Sequence, residues 1–334
     1  MISLGKLNPN FLEKLMKNYP GVEDNRLIVG PRIGEDAAVI DFNNRHLVAK
    51  TDPVTFVSDE IGWYAVNVNA NDLATRGAKP RWFQSTILLP ENKTTEEMVE
   101  KIFSQISYAC KELDVAIIGG HTEVTYNLDR PIVIGCMLGE VEKDKLVTTS
   151  GAKSGDDIIL TKGIVVEGTS IITREKEEEL REKGYSDSFI KKCKNHLYNM
   201  SVVKDALIAN ETVKVHSMHD PTEGGLANGL HEIAQASNTG LLICKDRIPV
   251  LRESEILCKE YNLNPLGTIT SGTLILTTSQ KESKKLLERY KTAGIRASII
   301  GKIKDKSYGM KILDENQIKN LEYSEKDEII KIFE

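Results

Sequence analysis

The sequence predicts a layered α/β fold in two domains, and three observations carry that expectation. Strand-like apolar runs alternate with helix-period segments through the first half of the chain, a pattern that stacks helices on sheets. A small, polar, Gly-rich stretch, Thr148-Thr149-Ser150-Gly151-Ala152-Lys153-Ser154-Gly155, breaks the chain near its middle, as an interdomain turn does. The length, 334 residues, exceeds what one hydrophobic core comfortably holds. The expected domains are 1–150 and 151–334.

Taken in order, residues 8–19 read as a short helix with Leu12, Leu15 and Met16 on one face. Strands follow at 37–41 and 46–50. A helix fits 60–76, where Ile61, Ala65 and Val68 form an apolar stripe, Asp59 is a possible cap and Gly77 a stop. Residues 81–89 read as a strand. Thr94-x-x-Glu97 has the form of a capping box, opening a helix with Met98, Ile102, Ile106, Ala109 and Leu113 inward. Residues 115–118 and 131–138 are apolar, β-branched strands. Beyond the break, 157–161 reads as a strand, 173–183 as a solvated helix, 187–209 and 220–237 as helices. Strands at 241–244, 273–277 and 297–303, with a helix across 280–293, complete the pattern. The last twenty residues are charged and mixed.

Composition narrows the function classes. Apolar residues make up 40% and charged residues 28%, as in ordinary globular domains. A net charge of -5 argues against a broad nucleic-acid surface. No apolar run approaches the roughly 18 residues of a membrane span, and the first residues lack a secretory apolar stretch. The five cysteines are scattered without a C-x-x-C pair, which argues for a reducing compartment. The expectation is a cytoplasmic protein with neither membrane nor nucleic acid as partner.

Several acidic sites sit in turn-like punctuation. Glu35-Asp36, after Gly34, fits either plain turn chemistry or oxygen ligation of Mg²⁺, which needs a few carboxylates plus phosphate oxygens. Asp52 precedes Pro53, is biased to extended backbone, and is a turn residue or a ligand at a strand end. Asn71-Asp72 lies near a helix C-terminus, where a carboxylate meets the negative end of the dipole unless a cation reverses the sign. Asn67 and Asn69 are polar residues in the same helix. Gly119-Gly120-His121-Thr122-Glu123 follows a strand; its glycines allow close approach to a ligand, and His121 and Glu123 are catalytic candidates or structural polar residues. In His219-Asp220-Pro221-Thr222-Glu223-Gly224-Gly225, Asp220 has the form of an N-cap with Pro221 at N1. Gly224-Gly225 instead suggests phosphate at a helix N-terminus. Lys162–Ser170 could be a phosphate-facing loop, but neither G-x-x-x-x-G-K-[ST] nor G-x-G-x-x-G occurs, so P-loop and Rossmann chemistry are not indicated.

Together these blocks resemble the aminoimidazole-ribonucleotide (AIR) synthase superfamily. Gly34-Glu35-Asp36-Ala37-Ala38-Val39 is similar to its G-D-D-A-A-V opening. Thr51-Asp52, Asn71-Asp72 through Pro80, Gly119-Gly120-His121-Thr122 and Asp220 through Leu226 match later blocks in order, from about residue 30 to 305. The nearest branch is that of the hydrogenase maturation factors of the HypE type. The resemblance implies an AIR-synthase-like two-domain α/β (α+β) fold, with an N-terminal sheet that pairs two chains through a dimer-interface barrel. It implies ATP and Mg²⁺ as cofactors, with Asp36, Asp52, Asp72 and Asp220 as metal carboxylates. It places Thr51, Gly119, Gly120, Gly224 and Gly225 at the nucleotide. Relatives carry an acid where this chain has His121, so Glu123 is a possible substitute. The implied reaction is ATP-dependent phosphorylation or dehydration of an amide-like oxygen, on a small-molecule acceptor or with a maturation partner protein. A kinase of the thiamine-monophosphate type, or a non-catalytic ATP-binding subunit in metallocentre maturation, is the alternative. The HypE type acts on its own C-terminal cysteine; here the last cysteine is Cys258 and the sequence ends Ile332-Phe333-Glu334, so a different acceptor is expected.

Overall fold

In the computed structural model, the structure describes residues 9–19, 22–31, 34–55, 57 and 59–333. The first half runs α1 (Pro9–Asn18), β1 (Leu27–Val29), β2 (Ala38–Phe42), β3 (Arg45–Val54), α2 (Ile61–Thr75), β4 (Lys79–Pro90), α3 (Glu96–Glu112), β5 (Ala116–Thr125) and β6 (Ile132–Glu142). Its six strands form one sheet in the order β1-β2-β3-β6-β4-β5. All neighbours are antiparallel except β4 and β5. The second half runs β7 (Asp157–Thr161), α4 (Val166–Glu175), α5 (Glu177–Glu182), α6 (Asp187–Lys194), α7 (Val203–Thr212), β8 (Val215–His219), α8 (Gly225–Ala236), β9 (Gly240–Cys244), α9 (Arg252–Glu260), β10 (Ile275–Thr278), α10 (Gln280–Thr292), β11 (Ala297–Lys304), β12 (Met310–Asp314) and β13 (Gln317–Asn320). Its seven strands lie in the order β13-β12-β9-β11-β7-β10-β8. One continuous apolar cluster spans both halves.

Helix α2 is the pivot. Nearly all its residues are buried, because one side lies on β3 and β6 while others meet α3, α7 and β8. Gly135 of β6 permits the approach: a Cβ there would stand 2.8 Å from Ala65 O and 2.9 Å from the Phe83 ring. The asparagines that looked out of place are backbone partners. Asn69 accepts from Asp52 N at 2.9 Å and donates to Asp52 O at 3.3 Å; the pairing of β2 with β3 stops at Ala49, so Asn69 serves a stretch of strand that β2 does not reach. Asn71 donates to Met200 O at 3.0 Å and accepts from Val202 N at 2.8 Å, joining the two halves.

Several local expectations are corrected. Helix α2 is preceded by Glu60 in a left-handed conformation without a side-chain cap; Asp59 instead pairs with Lys101 and Arg174. The cap of α3 is Thr95, whose hydroxyl accepts from Met98 N at 3.2 Å, while Thr94 bonds Pro90 O. The 187–209 segment is two α-helices, α6 and α7, with a short 3-10 turn at Asn195–Asn199 between them. Gly168-Thr169-Ser170 lies inside α4 with its backbone against Ile269 O. Asp220 is not a helix cap: α8 begins at Gly225 after Gly224 at φ 76°. Gly119 to Glu123 lie within β5, not after it. The strand expected at 46–50 continues through Asp52 and Pro53 to Val54.

Strand β5 is an edge strand exposed along nearly its whole length, with Ile117, Ile118 and Val124 each about half exposed. An exposed apolar edge with open backbone groups is an invitation to strand pairing.

Candidate functional site

The acids predicted as ligands come from both halves of the chain. Asp36 precedes β2, Asp52 lies on β3, Asp72 on the C-terminal half of α2, and Asp220 follows β8. Lys50 and Asp52 share one face of β3, since side chains alternate along a strand. The Lys50 ammonium stands 2.8 Å from Asp72 and 3.2 Å from Asp52. Burial works against that ammonium, but Asp72 and Asp52 outweigh it and raise its pKa.

A second basic group anchors Asp36. Arg76, one helical turn beyond Asp72, is fully buried. It pairs with Glu35, with Asp36 at 3.0 Å and with Thr149 Oγ1 at 2.7 Å. His219 donates from Nδ1 to Asp36 at 3.0 Å and from Nε2 to Glu232 of α8 at 2.6 Å. With a carboxylate on each nitrogen, the ring is held as an imidazolium: burial lowers its pKa, and Asp36 and Glu232 together raise it well above the usual histidine value.

The ligand atoms of Asp36, His219 and Asp220 lie within 4.8 Å of one another. His219 has both nitrogens committed to carboxylates, so the metal-type donors here are the acids. Burial pushes Asp220 well above the carboxylate range, with Asp72 and Asp36 adding repulsion, and its Oδ1 has no hydrogen-bond partner. Asp72 is raised too: burial and the neighbouring Asp36 and Asp52 outweigh Lys50. Asp36 moves the other way, because His219, Arg76 and Lys50 overcome its burial. Crowded, desolvated carboxylates of this kind are under-neutralised, and a divalent cation on hard oxygen donors would relieve them. The donor set fits Mg²⁺.

The remaining predicted residues are placed elsewhere. Thr51 is on the face of β3 opposite Asp52 and donates to Gly135 O at 2.8 Å. Gly119, Gly120, His121 and Glu123 lie on β5; Asp52 pairs with Gly135, Gly135 with Ser85, and Ser85 with Gly120. Three strand spacings of ~4.8 Å put this row about 14 Å from Asp52. There His121 Nε2 meets Glu123 at 3.2 Å, both exposed, so a single chain does not bring the pair to the acids. At Gly224 the N–H that would meet phosphate donates to Asp327 at 2.6 Å. Gly225 is needed for close approach of the chain's own loop, at Thr268 O and Leu266 O.

Lys50, Arg76 and Glu232 were missed from sequence. A signal existed for the first two. Lys50 is two residues from Asp52, hence on the same strand face, and Arg76 is four from Asp72, hence on the same helix face. Glu232 carries no such local sign, since it meets Asp36 only through His219.

Comparison with known proteins gives the family. Residues 34–141 match the N-terminal domain and residues 153–312 the C-terminal domain of AIR synthase related protein. The chain is 31% identical over 274 residues to a putative hydrogenase expression/formation protein of Methanocaldococcus jannaschii, covering 80% of this chain and 78% of that one. It is 27% identical over 253 residues to the carbamoyl dehydratase HypE of Cupriavidus necator, covering 75% and 68%. A crystal structure of the hydrogenase maturation protein HypE in complex with ATP has the same fold, with a TM-score of 0.70 at 21% identity over 98% of each chain. The chain is a member of the AIR synthase related protein family, with both of its characteristic domains.

Proposed function

We propose that this protein is an ATP- and Mg²⁺-dependent enzyme that activates an amide-like oxygen of an acceptor by phosphorylation, in the manner of a carbamoyl dehydratase. The observation that carries the reading is the convergence of Asp36, Asp72 and Asp220, drawn from both halves, with Asp72 and Asp220 held above the usual carboxylate range by burial and by the neighbouring acids. A relative bearing the name carbamoyl dehydratase and a neighbour in complex with ATP support it. Asp36, Asp52, Asp72 and Asp220 would hold the ion, which when bound neutralises phosphate charge and aligns the transferring group. Lys50 is placed to meet a phosphate oxygen once Asp72 and Asp52 turn to the metal. Arg76 and His219 fix the Asp36 carboxylate, so that its orientation is set before substrate arrives.

The proposed assembly is a homodimer paired through the open edge of β5, which carries exposed Ile117, Ile118 and Val124. His121 and Glu123 would then stand at the seam between two chains, and any catalytic part they play belongs to that assembly.

Calorimetry with ATP and Mg²⁺ tests the core of the reading. Wild-type protein is expected to bind, and Asp72→Ala to lose at least about tenfold in affinity, as when one partner of a buried charge pair is removed. No binding in either protein would overturn it. The product separates reaction types: a stable phosphorylated acceptor indicates a kinase, whereas ADP and phosphate with a dehydrated acceptor indicate amide activation.

A further inference from the structure

In the second sheet, β9 and β11 part before either has run its course. Gly240–Ile243 pairs with Gly301–Lys304, and there the pairing stops. Strand β11 is irregular between Ile299 and Gly301, and beyond Cys244 the chain leaves β9 as a 3-10 turn, Lys245–Arg247. Residues Ala297–Ile299 stay paired with β7. Between that segment and residues 246–250 lies a cavity of about 490 Å³, which Arg296, Ser298, Asp246 and Arg247 help to line. Such irregularities re-aim side chains and gather near sites. Backbone contacts fix the walls: Ile164 N donates to Pro249 O at 3.0 Å and Lys162 N to Arg296 O at 2.7 Å.

Two guanidiniums share this cavity, those of Arg247 and Arg296, and both residues are exposed. Neither has a hydrogen-bond or ion-pair partner among the described residues, whereas Lys245 in the same turn pairs with Asp314 at 3.0 Å. Asp246 lines the cavity and pairs with neither. The chain has 49 acidic residues against 44 basic ones, so a shortage of carboxylates does not explain two unpaired arginines in one place. Like charges held together repel, and an anion between them removes that cost. Against the single carboxylate of Asp246 the cavity stays net positive. A guanidinium forks onto two oxygens at once. Two forks from separate segments suit the several oxygens of a phosphate group better than the two of a carboxylate. The volume leaves room for more than the phosphate itself, since small-molecule sites span about 300–1,000 Å³. We propose that the cavity between Arg247 and Arg296 binds the phosphate group of a small phosphate monoester, with the Ser298 hydroxyl as a further donor.

This place is separate from the acid cluster. Ser298 pairs with Leu160, Leu160 with Ile275, and Ile275 with His219. Three strand spacings of ~4.8 Å put Ser298 about 14 Å from His219, and Leu160 and Ile275 between them are fully buried. A small ligand on Arg247 and Arg296 therefore touches none of the acids, and its binding does not depend on what the acids do.

The test is calorimetry on the full chain in the presence of a chelator, which keeps divalent cations from drawing phosphate to the acids. Glycerol 3-phosphate is the probe and glycerol the neutral comparator. Wild type is expected to bind glycerol 3-phosphate in preference to glycerol. Arg247→Gln and Arg296→Gln are each expected to weaken that binding about tenfold, the loss of one charge-assisted contact. Their thermal midpoints are expected to match wild type, because both side chains are exposed and unpaired. Asp72→Ala is expected to bind the probe as wild type does. No binding to wild type, equal binding of glycerol, unchanged binding in either arginine variant, or loss of binding in Asp72→Ala would each overturn the site.

Discussion

Arg76 shows what one buried charge does in this protein. Its guanidinium neutralises Glu35 and Asp36 while also reaching Thr149 and Met218 O. Arg76→Met would leave Glu35 buried without its counter-ion and Asp36 with His219 alone. The expected loss is on the order of 3–5 kcal/mol, read as a lower urea midpoint with an unchanged slope. Glu167 carries the opposite lesson, because its burial outweighs the Ser271 hydrogen bonds that favour the carboxylate. Its folded pKa of about 7 lies above the 4.5 of a free glutamate. A raised acid stabilises the fold fully below its unfolded pKa, and that contribution is lost as pH rises through the folded value. Wild type is therefore expected to lose stability relative to Glu167→Gln between pH 4.5 and about 7, by on the order of 3 kcal/mol in full. Parallel pH profiles for the two proteins in thermal unfolding would count against it.

Among elements, α2 decides the site. It carries Asp72, with Arg76 as its C-cap, to the acid cluster, holds the backbone of Asp52 through Asn69, and ties the second half through Asn71. Its seat on β6 depends on Gly135. Gly135→Ala would push a methyl group against Ala65 O and the Phe83 ring and shift the helix. A loss of about 1–3 kcal/mol is expected, accompanied by weaker nucleotide binding because Asp52 and Asp72 move apart. Unchanged affinity in a destabilised protein would separate packing from site geometry. Helix α8 shows a different device: the N–H of its N-cap residue, Gly224, is taken by Asp327 from near the end of the chain.

At the scale of the molecule, the acid cluster needs both halves, and the proposed dimer rests on the open edge of β5. An exposed strand carrying Ile117, Ile118 and Val124 is an aggregation liability if left bare. Ile118→Lys is expected to convert a dimer to a monomer in sedimentation while leaving the helical signal in circular dichroism unchanged, since Ile118 is 51% exposed in the single chain. A wild-type protein that sediments as a monomer would remove the dimer from the account. No helix among the described residues is long and apolar enough to cross a membrane.

The alternation of strands and helices was legible in sequence, and so was the order of the acids Asp36, Asp52, Asp72 and Asp220 along it. Hydrophobic period and turn chemistry act over a few residues, and so leave local traces. Local rules also misled. Asp220-Pro221 has the form of a helix start, yet α8 begins at Gly225, after Gly224 in a left-handed conformation whose N–H Asp327 closes from more than a hundred residues away. Gly119-Gly120 reads as following a strand, yet pairing with β4 draws it into one. The acids' order came from the chain, but their charges did not: which of them is neutralised by Lys50, Arg76 or His219, and which are left raised, depends on distances between segments remote in sequence. Coulomb energies and desolvation are properties of that three-dimensional packing, and so the tertiary structure alone decided that Asp36 is lowered while Asp72, Asp220 and Glu167 are raised.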